Sequence, residues 1–224
     1  MTTAIILAAG KSSRMGAAVD KAFLSLVDKP VVAWSLLAFE RCADIDSIVL
    51  VVRKEQLLAS KAVAKMFGIS KLSAIVPGGA RRQESVAAGL AACDLATKNV
   101  VVHDGARPMV TPALISEVMK AAKRFPAVTV GRPVTDTVKR CDKGSTVSET
   151  LPRDKLWVVQ TPQAFLMKDL TAAYKILGKK EATDDCMAIE LNGGAVKIVP
   201  WLNPNVKITT AEDLQTVAAL LKQG

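Results

Sequence analysis

The chain has 224 residues, half of them hydrophobic but only 4% aromatic, with 30 basic against 21 acidic side chains and a formal charge of +9. That length suits a single α/β domain, which often runs to roughly 200–250 residues, and burial of about 70–75% of the unfolded surface removes the need for a disulfide or metal staple. The basic balance selects anionic partners, but without an Arg/Lys block or an interleaved aromatic platform it argues against nucleic acid and leaves phosphorylated metabolites.

Ala4–Leu7 is a short apolar run of the buried-strand type. It lacks the preceding basic region of a secretory signal, and no apolar stretch in the chain approaches the roughly 20 residues that span a bilayer. A helix begins at Pro30 and carries Val32, Leu36, Leu37 and Phe39, and Ser47–Val52 (SIVLVV) reads as a strand covered on both faces. The pattern then predicts a helix over Gln56–Phe67, a strand over Leu72–Val76 and a helix over Glu84–Cys93. Val100–Val102 is a strand running into His103-Asp104-Gly105. In 111-TPALISEVMKAAKRF-125, Thr111 is placed as N-cap and Pro112 at the first helical position. Ala127–Val130 is a further strand. The last helix opens on Thr210-x-x-Asp213, a capping-box pattern, with Leu214, Val217, Ala218 and Leu221 on one face.

This alternation predicts a mostly parallel sheet covered by helices on both sides, with ligands at the carboxyl ends of the strands. One segment breaks the rhythm. In 134-VTDTVKRCDKGSTVSETLPRDKLW-157 two polar, β-prone runs flank the turn signal Asp142-Lys143-Gly144-Ser145. A hairpin with so little apolar surface is marginal alone, so residues 134–156 are expected to form an arm inserted into the single 1–224 domain and exchanged with another subunit.

The loop after the first strand, 5-IILAAGKSSRMGAAVDKAF-23, carries the first chemical signal. Gly10-Lys11-Ser12 imitates the end of a P-loop, yet Ile5 stands where that loop needs its first glycine, so the P-loop reading fails. Gly10 and Gly16 are the loop's only glycines, too few for G-x-G-x-x-G. A looser cradle remains: Ala8, Ala9 and Gly10 leave the backbone bare for a nucleotide, and Arg14 and Lys21 can neutralise a phosphoryl group in flight. A solvated basic loop is the competing reading of these residues. Cys42, Cys93, Cys141 and Cys186 lie far apart without a C-x-x-C pair, and His103 is the one histidine, so an ordinary zinc site is not expected, and a reduced, cytoplasmic setting is.

L-A-A-G-x-x-x-R-M followed by Lys-x-Phe resembles the signature of sugar-phosphate nucleotidylyltransferases. The segments 78-GGARRQESVAAGL-90, 103-HDGARP-108, 133-PVTDTVKR-140, 161-TPQAF-165, 183-TDD-185 and 206-VKIT-209 follow in the order and approximate spacing of one family. Across essentially the whole chain the sequence is similar to the 2-C-methyl-D-erythritol 4-phosphate cytidylyltransferases of the non-mevalonate isoprenoid pathway. The resemblance implies a Rossmann-like nucleotidyltransferase sandwich, CTP and a polyol phosphate as substrates, Mg²⁺ (or another divalent cation) on the triphosphate, and a homodimer joined through the β-arm. Neither nucleic acid nor a membrane is an expected partner.

By that resemblance the acceptor phosphate attacks the α-phosphorus of CTP directly and pyrophosphate leaves, chemistry that asks for positioning and charge stabilisation rather than a protein nucleophile. Ala8, Ala9, Gly10 and Gly105 lie on the nucleotide, Gly79 and Ser85 read cytosine, and Arg14 and Lys21 stabilise the transition state. Asp104 serves either the polyol or Mg²⁺, the metal otherwise being held through the CTP phosphates. Arg107 shapes its loop or contacts the acceptor. Thr137 and Arg153 reach from the arm into the neighbouring subunit's site, while Thr161, Thr183 and Lys207 complete the acceptor pocket, with Arg153 and Lys207 aligning the acceptor phosphate. Arg82 is expected to order the glycine loop, and His103 and Pro108 to be structural. Two departures from the family pattern stand out: Asp20 where a proline usually precedes Lys21, and Cys186 in place of a small residue. A ribitol-5-phosphate cytidylyltransferase and a non-catalytic basic nucleotide- or nucleic-acid-binding module are the rival readings. The former's relatives tend to carry L-A-G-G at positions 7–10 and to lack Asp136–Lys139 (DTVK); the joint presence of Arg14, Lys21, Arg153 and Lys207 opposes the latter.

Overall fold

The computed structural model describes residues 1–10, 20–178 and 180–223; residues 11–19, which include Arg14, and residues 179 and 224 lie outside the described residues. The sheet contains a parallel strand pair that the sequence makes almost wholly apolar, β1 (Thr2–Ala8) beside β4 (Ser47–Val52). Every residue of β4 is buried, as a strand covered on both faces requires. Side chains alternate across β1: Ala4, Ile6 and Ala8 pack with Leu36, Phe39, Leu114 and Val118, whereas Ile5 turns to Val49, Val51, Val86 and Leu90. The first group places helices α1 (Val31–Arg41), α2 (Leu57–Met66) and α4 (Pro112–Ala122) on one face of the sheet. The second places α3 (Arg82–Ala91), α5 (Met167–Leu177) and α6 (Asp185–Leu191) on the other. The expected α/β sandwich is thus doubly wound.

The sheet is completed by β5 (Leu72–Pro77), β6 (Asn99–Asp104), β7 (Ala127–Pro133), β10 (Trp157–Leu166) and β11 (Lys197–Pro200), in the order β11-β7-β10-β6-β1-β4-β5. β10 runs antiparallel to both its neighbours, β6 and β7, while the remaining pairings are parallel. The chain moves from β1 outward through β4 and β5, then returns to place β6 on β1's other side. That reversal opens a crevice at the carboxyl ends of β1 and β6, where Leu7 and Asp104 stand side by side in register. A short antiparallel pair, β2 (Ser25–Leu26) with β3 (Lys29–Pro30), leads into α1.

Local chemistry sets the helix ends. The Thr111 hydroxyl accepts from Leu114 N at 3.2 Å, with Pro112 behind it, and the capping box of α7 (Ala211–Gln223) closes when Asp213 Oδ2 accepts from Thr210 N at 2.9 Å and Thr210 Oγ1 from Asp213 N at 3.2 Å. Several boundaries differ from the sequence reading, three of them with a visible local cause. Pro30 pairs with Ser25 and α1 begins at Val31. α2 is preceded by a separate 3₁₀ turn over Lys54–Gln56. α3 begins at Arg82, because Glu84 is not the first helical residue but the one that reaches back, its Oε2 accepting from Ala80 N at 2.9 Å and Arg81 N at 3.2 Å. β10, α5, α6 and β11 had no counterpart in the sequence reading.

The arm is a two-stranded sheet of its own, β8 (Val138–Lys143) with β9 (Thr146–Leu151). Gly144 takes φ +56° at its tip, a backbone region glycine enters without steric cost. Its turn is narrower than expected, since Asp142 and Lys143 belong to β8. Among the described residues no helix is long and apolar enough to cross a membrane.

Candidate active site

Two adjoining pockets open at the carboxyl ends of the strands. The first, of about 780 Å³, is lined by Ala8 at the end of β1, Ala9 and Gly10 after it, Lys21, Arg53 after β4, Gly78 and Gly79 after β5, Ser85 of α3, and Asp104. The second, of about 590 Å³, is lined by Arg107, Thr161, Thr183, Asp184, Cys186 and neighbours. Arg82, Asp104 and Lys207 line both.

The glycines of the first pocket owe their places to different causes. A Cβ on Gly78 would lie 2.4 Å from Ala9 Cβ and 2.7 Å from Ser85 Oγ, so β5's exit can approach the opening loop only as glycine. A Cβ on Gly10 meets nothing within 4 Å among the described residues; none of these demands glycine there, while a ligand lying on the backbone would. Ser85 Oγ accepts from Gly79 N at 3.2 Å, so this serine ties down the glycine loop and still faces the pocket. Arg53, which the sequence reading passed over, donates from Nη2 to the Gly10 carbonyl at 3.3 Å and lies 3.9 Å from Asp20 Oδ2. Its signal was its position, directly after a fully buried strand. Asp20, in place of the family's proline, caps the 3₁₀ turn Lys21–Phe23 by accepting from Ala22 N at 3.2 Å. Burial raises its pKa, against the Ala22 N–H and the cations Arg53 and Lys21.

Asp104 is the pivot. Lys207 Nζ lies 2.7 Å from Oδ2, Arg107 Nε 3.8 Å from the same oxygen, and Arg82 Nε 3.5 Å from Oδ1. Burial alone would raise its pKa, but Lys207 first, then Arg82 and Arg107, hold the carboxyl well below the usual range. Three cations around one carboxylate leave the junction of the pockets net positive, suited to phosphate oxygens.

Arg82 departs from expectation. The glycine loop is held by Glu84 and Ser85, whereas Arg82 donates from Nη2 to Asp185 Oδ2 at 2.7 Å and bridges to Asp104 between the pockets. Asp185 has a wholly buried side chain and also accepts from the Tyr174 hydroxyl. Burial would lower the Arg82 pKa, but the two carboxylates more than offset it and hold the guanidinium above its usual value.

Behind this floor His103 is fully buried, 5.2 Å from the Phe39 ring, in keeping with a structural place, and burial pushes its pKa down to about 3. Arg107 both shapes and faces its surroundings: Nη1 donates to the Asn205 carbonyl at 2.8 Å, and the side chain lines the second pocket. Asn205 Nδ2 donates in turn to the Thr161 carbonyl at 2.9 Å. Gly105 lies outside both linings and has a packing reason instead, its N–H donating to the Leu7 carbonyl at 2.8 Å, with a Cβ there only 3.2 Å from that oxygen. Cys186 is buried in α6, and burial raises its thiol pKa. Thr137 and Arg153 are exposed and line neither pocket of their own chain; Arg153 Nη1 donates to the Thr135 carbonyl at 2.6 Å.

A doubly wound sheet with small residues at its switch point and a cationic floor is the arrangement of a protein that binds an anionic nucleotide. Residues 2–223 match the family model of 2-C-methyl-D-erythritol 4-phosphate cytidylyltransferase. A relative of that name from Pelotomaculum thermopropionicum is 45% identical over 222 residues, 98% of this chain and 93% of the relative. The crystal structure of 4-diphosphocytidyl-2C-methyl-D-erythritol synthase from Anaerococcus prevotii superposes with a TM-score of 0.87 at 31% identity, covering 99% of this chain and 98% of that one. The Thermus thermophilus 2-C-methyl-D-erythritol 4-phosphate cytidylyltransferase gives 0.79 at 30% identity over 97% and 98%. The chain belongs to the 2-C-methyl-D-erythritol 4-phosphate cytidylyltransferase family.

Proposed function

We propose that the two pockets hold the two substrates of one displacement, CTP in the first and 2-C-methyl-D-erythritol 4-phosphate in the second. An acceptor phosphate oxygen attacks the α-phosphorus in line with the departing pyrophosphate. One P–O bond forms as another breaks, giving 4-diphosphocytidyl-2-C-methyl-D-erythritol and pyrophosphate. The observation that carries this is the shared floor: Arg82, Asp104 and Lys207 belong to both pockets, so an α-phosphate and an acceptor phosphate meet over the same cations.

Ala8, Ala9 and Gly10, which line the first pocket, carry the nucleotide on their backbone, and Gly79 and Ser85 meet the base through a carbonyl and a hydroxyl. Lys21, with Arg14, offsets charge developing on the α-phosphoryl group and the leaving pyrophosphate. Lys207 lies against the acceptor phosphate, kept in place by Asp104 at 2.7 Å, while Arg107, Thr161 and Thr183 frame the polyol. The ionised Asp104 has no proton to give, and the attacking phosphate oxygen, already anionic, needs no general base.

For a divalent cation the side chains fit only a minor part. Among the described residues no group of three or more His, Cys, Asp or Glu could hold a metal ion, and Asp104, the carboxylate at the shared floor, is already paired with three cations. Mg²⁺, when bound, neutralises triphosphate charge from the phosphate oxygens themselves, as Mg²⁺ commonly does with one or two carboxylates at most.

The 134–156 arm belongs to a homodimer in this reading. Its strands are exposed, and Trp157, Val158 and Val159 at its base are 37%, 46% and 41% exposed, a run of apolar surface that a second copy would cover. Thr137 and Arg153 then act in the partner's acceptor pocket. The free cysteines agree with a cytoplasmic setting.

The experiment is pyrophosphate release from CTP with either 2-C-methyl-D-erythritol 4-phosphate or ribitol 5-phosphate, in wild type, Lys21→Ala and Arg153→Ala. Release is expected with the first acceptor only and strongly reduced in both variants. Mixing the two inactive variants should restore activity, because an exchanged dimer of one of each rebuilds one complete site. A preference for ribitol 5-phosphate would overturn the acceptor assignment, and failure of the mixture would overturn the exchanged arm.

A further inference from the structure

Resting on that reading of the second pocket, we infer that His103 is a positioning residue that fixes the Thr161 hydroxyl as a hydrogen-bond acceptor toward the acceptor pocket, so that Thr161 reads a hydroxyl of the polyol and not its phosphate. The argument is one of proton counting. His103 Nε2 lies 3.3 Å from the Arg107 carbonyl oxygen, and a carbonyl can only accept. Ser35 Oγ, 3.5 Å from the same nitrogen, donates to that carbonyl as well, at 3.4 Å. A lone pair on Nε2 would face the carbonyl's lone pairs at the shorter of its two contacts, so the geometry assigns the proton to Nε2.

A neutral imidazole has one N–H, so Nδ1 is left as an acceptor. The atom it meets is Thr161 Oγ1, at 3.2 Å, and the threonine proton is thereby spent on the ring. The same oxygen accepts from Asp104 N at 3.0 Å. One lone pair is all that Thr161 can still offer to the second pocket, which it lines. A lone pair attracts a hydroxyl donor and repels a phosphate oxygen. The chain of bonds also pins the Asp104 main chain, and so the carboxylate that holds Lys207. Nothing loosens the ring: Phe39 packs on it, it is wholly buried, and the charged groups around it are Asp104, Arg107 and Lys207.

Because the chain has a single histidine, a long-range ¹H–¹⁵N spectrum of the labelled protein reads the tautomer without assignment. The expected pattern is Nε2–H. An Nδ1–H pattern, or an imidazolium at neutral pH, overturns the inference in the wild-type protein, whether or not any variant folds. In steady-state assays His103→Phe and Thr161→Val should each raise KM for 2-C-methyl-D-erythritol 4-phosphate about tenfold, the scale of one lost hydrogen bond, with KM for CTP within about twofold. The double variant should be no worse than the poorer single, as members of one chain are not additive. His103→Asn, which keeps an acceptor near the Nδ1 position, should recover most of the loss. Inhibition by inorganic phosphate, competing with the acceptor, should be the same in Thr161→Val as in wild type. Multiplying effects, or a fall in melting temperature with both KM values unchanged, would reduce His103 to a packing residue. A parallel loss of phosphate inhibition would show that Thr161 reads the phosphate. Absence of pyrophosphate release from wild type would refute the proposed function instead, leaving the tautomer to be judged separately.

Discussion

Acidification tests the buried imidazole most directly. His103 titrates at about 3 in the fold and near ~6.5 when unfolded, so between these values the unfolded chain takes up a proton that the native chain refuses. Stability is therefore full above about pH 6.5 and is lost as the pH falls toward 3. At pH ~5.5 the unfolded imidazole is about 90% protonated, which favours unfolding by RT ln 11, ~1.4 kcal/mol, against less than ~0.1 kcal/mol at pH ~7.5. The figure hardly depends on the native value, provided it stays well below 5. Urea unfolding followed by tryptophan fluorescence, with EDTA and no nucleotide, measures it at the two pH values. His103→Asn supplies the control, since the chain has no other histidine. Asp20, whose carboxyl pKa is raised by burial, pushes in the opposite direction but is common to both proteins and cancels. Wild type should lose about 1.3 kcal/mol more than the variant over this range. Equal losses in the two proteins would mean that the native imidazole is protonated as readily as the free one, and the reasoning would fail.

Four other perturbations follow from the same geometry. Arg82→Met strands the wholly buried Asp185 carboxylate and should cost about 3–5 kcal/mol in urea unfolding, with Arg82→Met/Asp185→Asn far more stable than the sum of the single changes; additivity would show that the pair is not coupled. Gly78→Ala forces a Cβ to 2.4 Å from Ala9 Cβ and should cost about 1–3 kcal/mol and weaken CTP binding by calorimetry. Gly10→Ala, whose Cβ would meet nothing within 4 Å among the described residues, should leave stability nearly unchanged and still weaken CTP, and unaltered CTP binding would remove Gly10 from the cradle. Lys207→Ala should lower kcat/KM for pyrophosphate release by about 10²–10³-fold, the scale of losing one charge-stabilising donor; a change below about threefold would place Lys207 outside the chemistry.

Much of this was legible along the chain because burial and capping are local. SIVLVV can only be a strand covered on both faces, Thr111-Pro112 and Thr210-x-x-Asp213 start helices by bonds reaching three residues, and Gly144 announces its turn. β10 escaped notice for equally local reasons. Its first residues are exposed and its later ones buried, and Pro162 stands inside the run, where a proline argues against a central strand. The boundary of α3 was misplaced because Glu84 reads as a helix start when it is the residue that caps one.

The order of the motifs, from Leu7-Ala8-Ala9-Gly10 to Val206-Lys207-Ile208-Thr209, was enough to identify the family and therefore the chemistry. What that order could not contain is who holds whom. Arg82 and Asp185 are 103 residues apart in sequence, and only the return of the chain through β10 and α6 sets one against the other. The proton on His103 is decided by a carbonyl, a hydroxyl and a ring brought together from β6, its following loop and β10, and no periodicity records that meeting. The sequence by itself determined the elements, the cradle and the family, since each rests on neighbours within a few residues. The tertiary structure alone decided the charge and proton arrangement at the floor of the site, since these depend on distances between segments that the chain must fold to bring together.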